Sequence, residues 1–400
     1  MKILILEDEE DKFEVIRDYI GQVISDDFEL RRVKNWLDYS RAIASDKFDL
    51  ILLDLLVPRS PKDETVEDHL ESLVSTTRDY ESQSFLTPAI VLTRANLDAG
   101  DFVYDLNKVD INVIPFNDHD DWKEALKVKI LAAQPRKKFD FAIVCALDKE
   151  MAAFEHLVDR WGPLKRISGL VCREVRIGSS KGVIVRAHRM GLVAAAVVAT
   201  MALERFEPRL ICMSGICGGV PGEVKIYDLL VSQICHQHDA GKWSSSGFKS
   251  EHYDVQLDVD VHDKLIELCA EDDMGTYLTN DLDPARSEFP EGVERIHCTI
   301  YPEAVTSSGS AVIAEEGKTA ILATGQRKLA GFEMEIYSVY EAARHALHKP
   351  AFFAAKCVVD DGGVNKGDRF HRIGCLISAK FIVKAISAGI ADLRLPQRNP

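Results

Sequence analysis

The sequence lacks any apolar run that approaches the roughly 20 residues of a membrane-spanning helix, and it contains no basic tract. Lys and Arg number 49 against 64 Asp and Glu, which gives a formal net charge of −15. An acidic chain of this kind is not expected to bind nucleic acid. The first residues, Met1 to Asp8, become acidic too early for a secretory signal. We therefore expect a cytoplasmic protein that binds neither nucleic acid nor membrane.

The spacing of the cysteines excludes a C-x-x-C motif and a zinc finger. The nine cysteines run from Cys145 to Cys375, with no C-x-x-C pair and no Cys/His cluster of zinc-finger spacing. An odd number of thiols without these spacings indicates buried free cysteines in a reducing compartment.

The charge is divided unevenly along the 400 residues. Residues 1–135 hold 16 Lys and Arg against 29 Asp and Glu, net −13, and the remainder holds 33 against 35, net −2. A chain of this length suggests two or three domains. We place a first domain at 1–132, a linker at 133–138 around Pro135 and three cations, and a second domain at 139–400.

Short apolar runs alternate with amphipathic stretches throughout, which predicts an α/β fold. The first domain has candidate strands at Ile3–Leu6, Asp49–Leu56 and Ala89–Thr93, whose continuous apolar character suits a parallel sheet covered on both faces. The second domain has a candidate strand from Phe139 and others further along; these are Gly182–Arg186, Leu210–Ser214, Asp228–Ser232 and Phe352–Val359. Helices are predicted over Leu192–Arg205 and Glu335–Leu347, and a loop over Gly241–Tyr253.

Acidic residues follow the strands of the first domain. Glu7 and Asp8 follow the first strand, Asp54 ends the second and Thr93 ends the third. The carboxyl ends of parallel strands converge on one edge of a sheet, and three carboxylates there would suit Mg²⁺. The alternative is that these are solvated loop residues.

Over residues 1–130 this pattern resembles the receiver domain of two-component response regulators, a flavodoxin-like fold. The resemblance implies that Asp54 is the phosphoacceptor, that Glu7, Asp8 and Asp54 bind Mg²⁺, and that Thr93 is the switch hydroxyl. Receivers also carry a Lys before a Pro-Phe dipeptide, and here Ile114 takes that position. The module is therefore either a phosphorylated switch or a degenerate receiver that senses a partner.

Five segments of the second domain carry candidate chemistry: Cys145–Glu150, His188–Gly191, Ser214–Gly219, Phe332–Glu335 and Val358–Asp361. Each has an ordinary explanation, because glycines permit tight turns, acidic residues are favoured at helix N-termini and Asp-Asp-Gly-Gly forms turns. The glycine-rich segment fits neither the P-loop nor the dinucleotide-binding pattern.

Taken in order, the five segments closely resemble the purine nucleoside phosphorylase and nucleosidase superfamily over residues 139–390. The 5′-methylthioadenosine/S-adenosylhomocysteine nucleosidases are its nearest familiar members. The resemblance implies a nucleoside phosphorylase-like α/β domain with Asp360 as general acid toward the purine and Glu150 as the group that activates water. These are the two carboxyl roles of glycoside cleavage. Asp361 is the alternative acid if the register is shifted by one.

The resemblance also implies a substrate site. Glu335, with Met334 and Glu333, would hold the ribose hydroxyls, Val312 and Ile313 would lie against the base, and Gly215 belongs to the glycine-rich part of the site. Ile216 and Val359 replace serines that the family usually has at these positions.

The residues favour hydrolysis over phosphorolysis. The first loop carries Glu150 and no arginine, and Met213 stands where phosphorylases have an arginine. A carboxylate would repel a phosphate but suits water activation. A nucleoside-level hydrolase or phosphorylase remains the alternative, as does a non-catalytic nucleotide sensor.

Cations near the expected site suggest a phosphorylated substrate. Arg186, His188 and Arg189 lie in one loop, and His236, His238 and Lys242 lie in another. Arginine pairs well with phosphate, although single members of the set could be surface cations. As a group they predict a nucleotide substrate.

The order of the two domains resembles the effector of Detocs-type antiphage systems, in which the phosphorylase-like domain cleaves ATP to adenine and ribose 5-triphosphate. The resemblance implies a sensor histidine kinase as phosphodonor, a separate receiver protein as a further partner, and a homo-oligomer. It implies no cofactor for glycosidic cleavage.

Overall fold

The computed structural model describes the chain except residues 25–27, 64–65, 69, 95–99, 118, 135–136, 168, 246, 311–327, 364–366 and 394–400. The chain divides into two compact units, Met1–Arg136 and Lys137–Pro400. The division lies inside the segment 133–138 that we assigned to a linker. Each unit is described by itself.

The first unit is built on a parallel sheet with the strand order β2-β1-β3-β6-β7. Its strands are β1 Lys2–Leu6, β2 Glu29–Val33, β3 Leu50–Leu53, β4 Leu56–Pro58, β5 Val66–Asp68, β6 Ala89–Thr93 and β7 Ile111–Pro115, of which β4 and β5 form a separate antiparallel pair. Its helices are α1 Glu10–Val23, α2 Trp36–Ser45, α3 Leu70–Thr77, α4 Gly100–Lys108 and α5 Asp121–Ala133.

Both faces of this sheet are covered, which explains its continuously apolar strands. Ile3 and Ile5 of β1 pack in one core with Ile16 of α1, whereas Leu4 packs in a second core with Tyr39 of α2. Successive side chains of a strand point to opposite faces, so a strand buried on both sides needs apolar residues at every position. The predicted α/β class is confirmed.

The second unit contains an eleven-stranded mixed sheet, ordered β10-β11-β12-β8-β13-β19-β18-β14-β17, with β20 paired to β13 and β14 and β9 paired to β11. The first strands are β8 Phe141–Cys145, β9 Arg160–Trp161, β10 Lys165–Ile167, β11 Leu170–Ile177, β12 Ser180–Arg186, β13 Leu210–Gly219 and β14 Leu229–Gln237. The later strands are β15 Gly241–Ser244, β16 Gly247–Ser250, β17 Asp254–Gln256, β18 Ile300–Ser308, β19 Leu329–Glu333 and β20 Ala351–Asp360.

The helices of the second unit are α6 Asp148–Ala152, α7 Leu192–Phe206, α8 Val259–Cys269, α9 Met274–Thr279, α10 Ile336–His345 and α11 His371–Ser387. Short 3₁₀ helices lie at Arg286–Glu288, Asp368–Phe370 and Ile390–Asp392. Helix α11 is buried around most of its circumference, from Ile373 to Ile386, as expected of a helix with little amphipathic contrast. It packs on β13 and β20 and so places its first turn beside the ends of those strands.

One predicted element is wrong. The segment Gly241–Tyr253, predicted as a loop, contains the antiparallel pair β15 and β16. Trp243 stacks on Phe248 across this hairpin, with ring centroids 5.3 Å apart. Cross-strand aromatic pairs of this kind stabilise hairpins. The surrounding serines and glycines are typical of a loop, which is why the sequence predicted a loop here.

Two sequence expectations concern the chain as a whole. All nine cysteines are free thiols, and seven of them are buried. Among the described helices, none is both long enough and apolar enough to cross a membrane.

Candidate active site

Three parallel strands of the second unit bring the predicted residues to one edge of the sheet. Strands β8 and β20 flank β13 in parallel; Glu150 follows β8, Gly215 lies in β13 and Asp360 ends β20. A cavity of about 310 Å³ opens there. Its lining residues are Ala146, Leu147, Glu150, Met190, Ile216, Cys217, Gly218, Phe332, Glu333, Met334, Glu335, Val359, Asp360, Gly362, Gly367, Asp368 and His371.

Glu150 is held at the bottom of this cavity and is 2% exposed. Its Oε2 accepts hydrogen bonds from the backbone N–H of Ala146 (2.7 Å) and Leu147 (2.9 Å), and its Oε1 accepts one from Ile216 (3.2 Å). Burial raises the pKa of Glu150 to about 7, although the positive charge of Lys356 opposes the rise. A carboxyl group with this pKa exchanges a proton readily near neutral pH.

Gly215 makes room for the Glu150 carboxylate. A Cβ atom at this position would collide with Oε1 and the carboxyl carbon of Glu150. The glycine predicted as part of the substrate site therefore accommodates Glu150, because its missing side chain allows the Glu150 carboxylate to lie against strand β13.

A buried lysine that sequence reasoning missed lies beneath the cavity. Lys356 of β20 is 1% exposed, and its Nζ lies 2.8 Å from Oε2 of Glu333 and 2.8 Å from Oε2 of Glu335. Burial disfavours its charge, but the two carboxylates outweigh burial and raise the pKa of Lys356 well above its ordinary value. Lys356 is thus the counter-charge of the acidic site.

The two predicted ribose-binding glutamates have different surroundings. Glu333 accepts hydrogen bonds from the backbone N–H of Glu335 (2.8 Å) and Ile336 (2.9 Å), as well as from Ser308, and so caps the start of α10. Glu335 holds Lys356 with one oxygen and accepts the backbone N–H of Gly191 (3.0 Å) with the other. Both glutamates and Met334 line the cavity.

The two candidate general acids, Asp360 and Asp361, have different surroundings in the structure. Asp360 lines the cavity, and its Oδ1 accepts the backbone N–H of Gly362 at 2.7 Å. Asp361 accepts the backbone N–H of Gly363 and is exposed, outside the cavity lining. Asp360, and not Asp361, therefore faces the cavity.

The predicted phosphate-binding cations lie outside the lining of this cavity. Nε of Arg186 forms an ion pair with Oδ1 of Asp148 at 2.9 Å, and His188 and Arg189 are exposed, whereas Met190 of the same loop lines the cavity. Val312 and Ile313 fall outside the described residues.

Another cationic group lies at the cavity rim. The Lys149 ammonium contacts Nδ1 of His371, and both are held by Asp368, whose Oδ1 lies 3.3 Å from Lys149 and 2.9 Å from His371. Asp368 is 85% exposed and Lys149 is 37% exposed, so this side of the cavity opens to solvent.

The acidic residues predicted in the first unit also meet. Glu7, Asp8 and Asp54 each bring one carboxylate oxygen within 4.8 Å of the others, and Thr93 is buried at the end of the adjacent strand β6. The ammonium of Lys12 forms ion pairs with Glu7 and Asp54. Burial raises the pKa of Glu7 to about 7, opposed by Lys12. The residues therefore fit a cation, and the chain itself supplies one.

Residues 140–374 match the family model of the Phosphorylase superfamily, and the chain belongs to that superfamily. This confirms the family that we inferred from the five segments of the second domain.

A curated relative, the uncharacterized protein y4jS of Sinorhizobium fredii, is 28% identical over 203 residues, which are 50% of this chain and 47% of the relative. The chain thus spans about half the length of the curated relative that it matches.

Solved nucleosidases share the fold of the second unit. The 5′-methylthioadenosine/S-adenosylhomocysteine nucleosidase of Colwellia psychrerythraea 34H, in complex with adenine, has a TM-score of 0.50 and 16% identity over 63% of this chain and 96% of that chain. The futalosine hydrolase of Helicobacter pylori has a TM-score of 0.48 and 17% identity over 63% of this chain and 97% of that chain.

Proposed function

We propose that the second unit hydrolyses the N-glycosidic bond of a purine nucleotide, most of all of ATP, to adenine and ribose 5-triphosphate. The observation that carries this proposal is the pair of carboxyl groups in one cavity, Glu150 at its buried end and Asp360 at the end of β20. Glycosidic cleavage needs two such groups with different roles.

The proposed reaction follows from these positions. As the bond between C1′ and the purine nitrogen breaks, its electron pair goes to the base and positive charge develops at C1′. Asp360 donates a proton to the leaving purine. Glu150 takes a proton from a water, whose oxygen forms the new bond to C1′. The Glu335 and Glu333 side chains, paired with Lys356, provide acceptors for ribose hydroxyls and negative potential near the cationic sugar.

The charge of the cavity supports hydrolysis over phosphorolysis. Among the described residues that line it, five are acidic and none is Lys or Arg. They are Glu150, Glu333, Glu335, Asp360 and Asp368. A free phosphate would be repelled by such a lining, whereas a water molecule would not.

The size of the cavity and its rim support a nucleotide. The cavity volume of about 310 Å³ lies at the lower end of the range for ligand cavities. A cavity of this size suits the nucleoside part of a nucleotide, with the phosphates projecting through the open side. Lys149 stands at that side, and Asp368 pairs with its ammonium until an anion replaces it. His371 lies beside them, and burial together with the Lys149 charge lowers the pKa of His371. One observation favours the alternative of a nucleoside substrate, since Met190 offers an apolar contact to an uncharged 5′ group.

We also propose that the first unit is a receiver-like switch for this activity. Its support is the flavodoxin-like strand order 2-1-3-4-5 of the five parallel strands and the placement of Asp54 after the central strand. Phosphorylation of Asp54 by a sensor histidine kinase, directly or through a separate receiver protein, would then release nucleotide cleavage as an antiphage response. A homo-oligomer is part of this proposal.

The test is product analysis. The protein is incubated with ATP, adenosine or methylthioadenosine, with and without inorganic phosphate and a small phosphoryl donor, and free adenine is measured by chromatography. We expect adenine from ATP without added phosphate. Adenine from the nucleosides alone would replace the nucleotide proposal with the nucleoside alternative, and a strict need for phosphate would replace hydrolysis with phosphorolysis.

A further inference from the structure

A lysine occupies the buried face of helix α1. Lys12 is 1% exposed and shares its helix face with Ile16 and Ile20, which pack against the sheet. Lysine is almost never fully buried unless it is paired. Its position therefore requires partners at the edge of the sheet that α1 covers.

Its partners are two of the three carboxylates in the acidic cluster. The Lys12 Nζ lies 2.7 Å from Oε2 of Glu7 and forms an ion pair and hydrogen bond with Oδ2 of Asp54. The same ammonium lies 5.7 Å from the ring centroid of Phe116. These contacts place the charge inside the cluster, beside the residue predicted to be the phosphoacceptor.

A divalent cation would need the oxygens that Lys12 already engages. Mg²⁺ binds carboxylate oxygens at about 2.0–2.1 Å in a demanding octahedral geometry. It would also lie within a few ångströms of the ammonium, where two like charges repel strongly in a partly buried site. Lys12 and a divalent ion therefore compete for the same place.

We propose that Lys12 occupies the cation position of this acidic cluster, so that the first unit neutralises Asp54 with its own ammonium and binds Mg²⁺ weakly. The charge reaches Asp54 from α1, whereas the position before Pro115 holds Ile114, which is buried in an apolar core. This inference concerns the first unit alone and does not depend on the glycosidase proposal.

The experiment titrates Mn²⁺, a spectroscopically visible substitute for Mg²⁺, into the full chain and measures free Mn²⁺ by electron paramagnetic resonance. Wild type is compared with Lys12→Met, which keeps an unbranched side chain, one atom shorter, and removes the charge. The matched control is Lys34→Met, which removes an exposed cation that pairs with Glu10 at 3.0 Å.

We expect Lys12→Met to bind one Mn²⁺ per chain at least about tenfold more tightly than wild type, because a like charge at contact distance has been removed. Lys34→Met should match wild type, and adding Asp54→Ala to Lys12→Met should abolish the gain. Equal Mn²⁺ affinity in wild type and Lys12→Met would overturn the proposal.

Lys12→Met leaves three carboxylates without a counter-charge, so its folding is followed by thermal denaturation with and without 10 mM Mg²⁺. A melting temperature that Mg²⁺ raises in Lys12→Met and not in wild type supports the proposal through binding linkage. If the variant fails to fold in either condition, Mn²⁺ binding by the wild type decides. A wild-type site with a Kd below about 1 mM, the weak end of protein cation sites, would overturn the proposal if Asp54→Ala removes that site. The absence of such a site supports the proposal.

Discussion

Lys12 and Lys356 are two buried lysines of the candidate sites. Hydrophobic periodicity could have identified both of them in the sequence, because each stands at a position that it assigns to the core. Lys12 stands in an apolar row of an amphipathic helix, and Lys356 interrupts the apolar strand Ala351–Asp360. A buried charge persists only where opposite charges meet it. A lysine at a position that periodicity assigns to the core is therefore a signal that carboxylates lie nearby.

The structure brings several predicted site residues together, and their catalytic and ribose-binding roles stay predictions because those roles depend on contacts that no pattern shows. Glu150, Asp360 and Glu335 all line one cavity. Arg186, by contrast, was predicted to bind phosphate because it lies close to His188 and Arg189 in the sequence. In the structure its guanidinium pairs with Asp148. Arg186 ends strand β12. Which partner the side chain of a strand's last residue meets depends on tertiary packing, so sequence order alone could not decide it.

The pH dependence of cleavage should follow Glu150. Its pKa is raised to about 7, and only the ionised form accepts a proton from water. We expect the Glu150 limb of the kcat/KM profile to rise with pH through about 7, with a value at pH 6 about tenfold below the limiting value of that limb. Initial rates between pH 5 and 9 measure this, and Glu150→Gln should lose the activity together with the pH step. A flat profile would remove the general-base role.

Removing Lys356 should damage both the site and the fold. Lys356→Met leaves Glu333 and Glu335 buried without a counter-charge, a change that typically costs about 3–5 kcal/mol of stability. We expect a lower melting temperature and the loss of cleavage, with partial recovery in Lys356→Arg. Lys264→Met, which breaks only a surface pair with Glu267 at 3.1 Å, is the control. Wild-type stability in Lys356→Met would contradict the assigned counter-charge.

At the scale of the elements, the strands on both sides of the active site were predictable because they are apolar and bounded by turn residues. Strand β1, the run from Phe139 and the helix that begins at Leu192 all appear close to their predicted positions. The hairpin β15–β16 was missed, since exposed Ser- and Gly-rich strands carry no hydrophobic alternation. It is held by its own cross-strand pair.

The close approach of β13 to α6 gives a prediction at this scale. Gly215→Ala would push the Glu150 carboxylate away from the strand, so we expect loss of cleavage while the far-ultraviolet circular dichroism spectrum is preserved. Gly21→Ala is the matched control, because a Cβ there meets nothing within 4 Å and alanine favours helix. Full cleavage by Gly215→Ala would show that Glu150 tolerates displacement.

At the scale of the whole molecule, the sequence charge separates into two parts that match the two units. The strongly acidic first 135 residues form the unit with the Glu7, Asp8 and Asp54 cluster, and the nearly neutral remainder forms the unit with the cavity. The division and the α/β class were predictable from composition and periodicity. The internal cation of the acidic cluster was not, because it comes from a helix whose approach to the sheet only the fold determines.

Coupling between the units has its own test. Asp54→Ala should leave basal cleavage of ATP unchanged and remove any increase caused by a small phosphoryl donor, since the acceptor carboxylate is gone. Adenine release with and without the donor measures both quantities, and exposed Asp63→Ala serves as the control. An undiminished response in Asp54→Ala would indicate that the first unit is a degenerate receiver that responds to a partner.

The three backbone N–H groups that Glu150 accepts come from two separate elements, Ala146 and Leu147 before α6 and Ile216 in β13. Their amide proton resonances therefore report directly on the Glu150 carboxyl group. Their chemical shifts should move together as that one group titrates. Nuclear magnetic resonance of a selectively ¹⁵N-labelled protein could thus follow the protonation of Glu150 without substrate.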